Sequence, residues 1–168
     1  MKRLLHASFF LSGLLCLLPG VSVAQPYSVS TDGSEVTDIK TGLIWRRCAE
    51  GMMLSQTVSG DTCTAPTGAV VQFTHEAALV RAASEAANTG VAWRLPNVKE
   101  LASIVDKGVS NPAIDGAAFP TTPASYFFSA TPDATLTYIV WIVSFNTGSV
   151  SGGNRSVPEY VRLVRAGQ

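Results

Sequence analysis

Charged residues are scarce in this chain. Only 14% of its 168 residues are Lys, Arg, Asp or Glu, and 12 basic residues face 12 acidic ones. A protein that binds nucleic acid through its charge usually carries a clear basic excess. We therefore expect no nucleic acid among the partners of this protein.

Long apolar runs are missing except near the N-terminus. There, Lys2 and Arg3 precede an apolar run over residues 7–18, and small residues at 22–24 follow. This order is typical of a secretory signal, so we assign residues 1–24 to a signal peptide. The run is shorter than the ~20 residues that cross a bilayer, so we expect no membrane span after signal removal. The predicted location is exported, which means the periplasm, the cell surface or the extracellular space.

Histidine is also rare, and its rarity bears on catalysis. His75 is the only histidine after residue 24, and it stands beside Glu76 at the start of a predicted helix. A catalytic triad needs a nucleophile, a histidine and a third group that orients the histidine, and the sequence offers no such set. We interpret His75 as a capping or surface residue and predict that the protein is not an enzyme.

Two cysteines, Cys48 and Cys63, follow the signal. In an exported protein, two cysteines are typical of a disulfide, and this one would close a loop of about sixteen residues and contribute about 3 kcal/mol. A reactive or metal-binding thiol pair would need a low thiol pKa or further ligands, and neither is evident. The sequence therefore predicts a structural disulfide.

The stretch Trp93–Leu101 has the strongest local signals. Pro96 excludes a helix before it, so the chain should arrive as a strand. Asn97 is a good N-cap, and Glu100 stands three residues later, as in a capping box. Apolar residues then recur at helical spacing, which predicts a helix that ends near Asp106. We interpret Arg94 and Glu100 as a salt bridge or a cap in preference to a ligand contact. We expect the three tryptophans to be buried.

The remaining pattern predicts one domain over residues 35–168, preceded by a polar lead over 25–34. A hairpin joins strands at 36–39 and 43–47, and Thr74 begins an alanine-rich helix that Gly90 ends. So many alanines favour close packing against another element. The later part predicts a long connection at 107–125, a short strand at 126–130, a central strand at 137–145, a polar glycine-rich loop at 149–156 and a last strand at 160–165.

Several of these segments resemble one secreted bacterial family, which is typified by the C-terminal domain of the Legionella collagen-like adhesin (the Lcl C-terminal domain). The resemblance implies an α+β fold similar to C-type lectins and formylglycine-generating enzymes, with two helices packed on antiparallel strands. The oxidase activity of those enzymes needs cysteines late in the chain, where this chain has none. The resembling segments are 38–48, 93–101, 104–106, 111–115, 119–120, 128–129 and 160–165.

The resemblance also implies adhesion. We expect an exported, non-catalytic recognition module that binds a polysaccharide or a cell-surface partner through its C-terminal loops. The alternative is a structural or assembly component of the cell envelope or of a surface appendage, and an oligomer is possible by analogy with the adhesin. The candidate ligand-binding residues, which lie in or beside the glycine-rich loop, are Asn154, Arg155, Glu159, Tyr160 and Arg162.

Metal binding has weaker support. Asp106, Asn111 and Asp115 carry oxygen ligands of the kind that calcium prefers, and C-type lectins use that metal. The sequence has no dense carboxylate loop and no lectin-type Glu-Pro-Asn triplet. Bound calcium is therefore possible, but we predict no cofactor.

Overall fold

The computed structural model describes residues 26–69 and 71–167. The predicted signal peptide at 1–24 lies outside the described residues. No helix in the described ranges has the length and apolar character needed to cross a membrane.

Within these ranges the chain forms nine strands and two helices, in an α+β arrangement. The strands form a four-stranded sheet in the order β1-β2-β3-β9, a hairpin β4-β5 and a three-stranded sheet β6-β7-β8, and all strand pairs are antiparallel. The elements in chain order are β1 (Tyr27–Val29), β2 (Glu35–Asp38), β3 (Leu43–Arg46), β4 (Met53–Thr57), β5 (Gly60–Thr64), α1 (His75–Thr89), α2 (Val98–Ser103), β6 (Tyr126–Pro132), β7 (Ile139–Ser144), β8 (Val150–Asn154) and β9 (Val164–Ala166).

The four-stranded sheet joins the two ends of the domain. The hairpin predicted around Gly42 is confirmed as β2-β3, and the positive φ of Gly42, 71°, explains why glycine stands in the turn. The last strand, β9, pairs with β3, so the last strand of the domain lies beside one of its first strands. The predicted polar lead contains strand β1, which pairs with β2 and extends this sheet.

The proline stretch forms much as predicted, although both flanking elements are shorter. The Asn97 side chain accepts from the Glu100 N–H, and Glu100 accepts from the Asn97 N–H, so the capping box is confirmed. The Glu100 carboxylate also accepts two hydrogen bonds of 2.8 Å from Arg94. Helix α2 ends at Ser103 and not near 106, and the strand expected before Pro96 is a single bridge between Arg94 and Val164.

Helix α1 has the predicted ends, and the predicted packing on one face only. The Thr74 side chain caps its start, and Gly90 ends it in the left-handed conformation. Only Ala78 and Ala82 of its alanines are buried, along with His75. The predicted close packing therefore holds for one face of the helix, where Ala78 and Ala82 join the core cluster around Phe128, and the other alanines are not buried.

The three-stranded sheet contains a strand, β8, that the sequence pattern did not predict. As predicted, β7 is the central strand, and Val140, Ile142 and Val143 are buried in it. The expected glycine-rich loop at 149–156 is instead mostly strand β8. A Cβ atom at Gly153 would lie 2.7 Å from the Ile142 side chain, so glycine is needed here for close approach between strands.

The core lies in two clusters of buried apolar residues. One surrounds Trp45 and Phe127, and the other surrounds Trp93 and Phe128. The prediction of burial is confirmed for Trp45 and Trp93, whereas Trp141 is half-buried. The Cys48–Cys63 disulfide is also confirmed, and it ties the end of the β3 region to β5.

Candidate functional site

The five candidate ligand-binding residues occupy three different environments. Asn154 ends β8 and is exposed, while Arg155 and Glu159 are half-buried in the turn that follows. Tyr160 is half-buried and stacks on Phe127 with 5.4 Å between ring centroids. Arg162 is completely buried. The sequence thus grouped residues that the fold separates.

Arg162 is removed from the candidate ligand contacts because its guanidinium lies inside the protein. It donates to the backbone oxygens of Arg46 and Arg47 and, at 2.7 Å, to the Thr122 hydroxyl. Its guanidinium carbon lies 4.9 Å from the centre of the Phe119 ring. Burial lowers the Arg162 pKa to about 9, which still leaves the group charged at neutral pH. A ligand in solution cannot reach it.

The turn that carries Arg155 is fixed by backbone hydrogen bonds to two neighbouring elements. The Arg155 N–H donates to the Tyr138 oxygen, and the Arg155 oxygen accepts from the His75 N–H at 2.9 Å. At the other end of the turn, Glu159 and Phe73 exchange both of their backbone hydrogen bonds. The turn is therefore held against the first residues of α1, where helical N–H groups need acceptors.

A cavity of about 420 Å³ lies where this turn meets α1. Its walls carry a guanidinium, an imidazole, a carboxylate, two hydroxyls and one apolar side chain. We call it the Arg155 cavity, and its lining residues are Thr74, His75, Glu76, Leu79, Arg155 and Ser156. Its volume lies within the usual range for a small ligand or for one unit of a larger one.

Arg155 differs from the other arginines in the described part of the chain. The others each make a salt bridge or side-chain hydrogen bonds within the protein. The Arg155 side chain makes neither. Its Nε atom is buried without a partner, as are the Nε atoms of Arg46, Arg162 and Arg165, but those three arginines form hydrogen bonds through their other nitrogens. Buried polar groups are normally hydrogen-bonded, so this guanidinium has donor capacity that the described residues leave unused.

Two titratable neighbours of the turn are influenced by burial. Burial lowers the His75 pKa, and the nearby positive charge of Arg155 lowers it further. The His75 Nε2 atom lies 3.1 Å from the Ser129 oxygen; because a carbonyl only accepts, Nε2 carries the proton. Burial raises the Glu159 pKa, and this carboxylate forms no salt bridge with Arg155. His75 is therefore a buried structural residue and not the surface residue that was one reading of the sequence.

The lowered His75 pKa predicts a loss of stability in mild acid. Below pH 6.5 the imidazole is protonated more readily in the unfolded chain than in the folded one. The stabilisation that neutral His75 gives the fold is therefore complete above that pH and decreases as the pH drops. We expect the free energy of unfolding to decrease between pH 7 and pH 5 more steeply in the wild type than in His75→Gln. Urea titrations of both proteins at several pH values measure this difference, and parallel curves would contradict the prediction.

Sequence reasoning missed most of the walls of the Arg155 cavity. Thr74 was recognised only as the start of a helix and His75 as a capping or surface residue, and Leu79 had no predicted role in a site. The backbone hydrogen bond that joins His75 to Arg155 spans eighty positions, and no local pattern predicts it. For the calcium ligands considered above, the finding concerns the described residues alone. These contain no group of three or more His, Cys, Asp or Glu side chains placed to hold a metal.

These features define an α+β domain that contains one internal disulfide and has a polar cavity beside the start of its longer helix. The sequence profile of the Lcl C-terminal domain matches residues 34–165, and the chain belongs to that family. The family suggests a module related to the cell surface and adhesion. No curated protein and no solved structure matches the chain. The disulfide fits export to an oxidising compartment.

Proposed function

We propose that the protein is an exported, non-catalytic recognition and adhesion module that binds a glycan or another cell-surface partner at the Arg155 cavity. The observation that carries the proposal is the Arg155 guanidinium, which lines a cavity and has no partner in the described residues. A ligand with sulfate, carboxylate or hydroxyl oxygens would supply the missing acceptors.

The surroundings of Arg155 support a sugar-like ligand. Tyr138, whose backbone oxygen accepts from the Arg155 N–H, does not line the cavity but is 56% exposed. A tyrosine side chain combines a large apolar surface with a hydroxyl that forms hydrogen bonds. The hydroxyls of Thr74 and Ser156 and the carboxylate of Glu76 add groups that pair with sugar hydroxyls.

The non-catalytic part of the proposal rests on His75. Its imidazole is buried and hydrogen-bonded to a backbone carbonyl, and no carboxylate hydrogen-bonds to it in the described residues. Such a histidine is poorly placed as a general base. The similarity to C-type lectins and formylglycine-generating enzymes is part of the same proposal, and its support is the order of the two helices and the antiparallel strands. The exported location is proposed from the N-terminal sequence and the disulfide.

A second function, assembly within the cell envelope or a surface appendage, has its own observation. Helix α1 turns Leu79 and Val80 to solvent, and Val80 is 61% exposed. Apolar side chains that are neighbours on an exposed helix favour contact with another protein surface. Under this function the partner would bind α1 around Val80, which does not line the Arg155 cavity, and the Arg155 side chain would not be needed.

Binding of the purified, disulfide-intact protein to an array of sulfated and neutral glycans tests the proposal. We expect saturable binding to one class of glycan, with at least about a tenfold loss of affinity in Arg155→Ala. The matched control is Arg94→Ala, which removes the same charge from an exposed salt bridge away from the cavity and should bind like the wild type. Measurement at two salt concentrations shows how much of the affinity is electrostatic.

The outcomes separate the two functions. If Arg155→Ala and Arg94→Ala lose affinity equally, net charge and not the cavity governs binding, and the Arg155 site is refuted. If the folded wild type binds no glycan, the glycan form of the proposal fails. Co-purification with an envelope complex that survives Arg155→Ala but is lost in Val80→Asp would favour the assembly function.

A further inference from the structure

A second cavity, of about 380 Å³, lies between α1 and the segment that follows Cys48. We call it the Glu50 cavity. It shares no lining residue with the Arg155 cavity. Its walls combine the charged side chains of Arg46, Glu50 and Arg81 with the apolar side chains of Met52, Met53 and Leu54.

Glu50 is an unusual wall residue because its charged side chain is almost entirely buried. Only 5% of its surface is exposed, and its backbone N–H donates to the Val161 oxygen. One carboxylate oxygen, Oε2, accepts from Arg81 Nε at 3.0 Å. The other oxygen, Oε1, accepts no hydrogen bond from the described residues. Oε1 is not one of the fully buried atoms that lack a partner, so part of its surface is accessible, and it is an acceptor for which a ligand would provide the donor.

The charges around the cavity cancel. Arg81 pairs with Glu50 and also with Glu85, and Arg46 pairs with Glu85, each at 3.0 Å. Glu85 does not line the cavity, but with it two carboxylates balance the two guanidinium groups. A strongly anionic ligand would be repelled by Glu50, and a strongly cationic ligand by the two arginines. The cavity suits an uncharged ligand that donates to Glu50 and accepts from an arginine.

The apolar walls add a second requirement. Met53 is 63% exposed at the rim, and methionine adapts its flexible side chain to irregular apolar surfaces. A ligand that fits has one apolar face and several hydroxyl groups, a combination that pyranose rings provide. The volume lies near the lower end of the range for ligand cavities, which favours one small ring over an extended chain.

We propose that the Glu50 cavity binds a neutral monosaccharide unit, with Glu50 accepting from sugar hydroxyls, Arg81 or Arg46 donating to them, and Met53 covering the apolar face of the ring. This site is independent of the function proposed for the Arg155 cavity. Either one can fail while the other stands.

Amide chemical shifts of the isotope-labelled, disulfide-intact protein test the proposal. The probes are glucose, galactose, mannose and N-acetylglucosamine, with sodium acetate and methylammonium chloride as charged probes. We expect at least one sugar to shift the amide signals of residues 49–54 saturably, while the charged probes do not. Saturable shifts there with only a charged probe, or with no probe, would overturn the proposal.

Variants locate the binding within the cavity. Glu50→Gln should weaken sugar binding about tenfold because it removes the negative acceptor. If that variant does not fold, Met53→Ala serves instead, since the exposed Met53 is not required for the core, and it should weaken binding several-fold. Val58→Ala is the matched control, because Val58 lies in the same disulfide-closed segment, is fully exposed and does not line the cavity.

Two comparisons complete the test. Equal sugar affinity in Met53→Ala and Val58→Ala would place the binding elsewhere and refute the site. Arg155→Ala should leave monosaccharide binding at the Glu50 cavity unchanged. A loss in Arg155→Ala with none in Glu50→Gln would assign the sugar to the Arg155 cavity and overturn the present proposal.

Discussion

Arg162→Ala is expected to lower the free energy of unfolding by about 3–5 kcal/mol. The variant removes three hydrogen bonds and leaves the backbone oxygens of Arg46 and Arg47 without their donor. It also opens a space beside Phe119, against which the guanidinium packs. Chemical denaturation followed by far-UV circular dichroism measures the loss.

Two companion variants show where that loss arises. Arg162→Met fills much of the same volume without the donors, so the difference between Met and Ala reports packing, and the remaining deficit reports the hydrogen bonds. Arg155→Ala is the matched control seven positions away, because the Arg155 side chain makes no hydrogen bond within the described residues, and it should change stability by less than about 0.5 kcal/mol. A loss below about 1 kcal/mol in Arg162→Ala would contradict the structural role of Arg162.

Removal of the disulfide by Cys48→Ala/Cys63→Ala is expected to cost about 3 kcal/mol. The bond joins residues 15 positions apart and encloses the β4-β5 hairpin, which in the described residues pairs with no other sheet. Loss of the cross-link gives the unfolded chain more freedom and leaves a two-stranded hairpin that is weakly stable by itself. Thermal and urea unfolding of the variant and the wild type measure the effect.

Reduction provides the internal control for this prediction. A thiol reductant should destabilise the wild type by about the same amount and should leave the double variant unchanged. If the variant and the oxidised wild type unfold at the same urea concentration, the disulfide is not a stabilising element. If the reductant also destabilises the variant, the reductant acts by some other route, and the measured loss cannot be assigned to the bond.

Elements with complete local signals were predicted well. Thr74 and Gly90 are the observed caps of α1, and Asn97 and Glu100 form the observed capping box, because caps depend on residues within one turn of each other. The β2-β3 hairpin followed from the same kind of local signal, a glycine in the turn between two short strands, and Gly42 does adopt a positive φ.

Strand β8 shows where local signals fail. Its sequence, Val150 to Asn154, contains two consecutive glycines and reads as a loop. In the fold, the side chains of Ile139 and Ile142 lie against these glycines from the neighbouring strand. The reason for glycine here is therefore a contact between strands, and that contact appears only when the sheet is formed.

Arg155 and Arg162 show the same difference, for the candidate site, between what local sequence predicts and what the fold decides. Arg162 was predicted as a ligand-binding residue in the last strand, yet residues 161–164 are all buried. Arg155 was predicted for its position in a polar segment, and the structure adds the cavity and the absence of any partner for its side chain among the described residues.

The sequence by itself determined the helix caps, the first hairpin, the cysteine pair and the family, because each depends on nearby residues or on the order of motifs along the chain. Only the tertiary structure decided which arginine is buried and which lines a cavity, and that residue 50 has a nearly buried carboxylate. These properties arise from contacts between residues that are tens of positions apart, such as His75 with Arg155 and Glu50 with Arg81. The free energy of burying a charge depends on all the groups that surround it, and local sequence does not specify those groups.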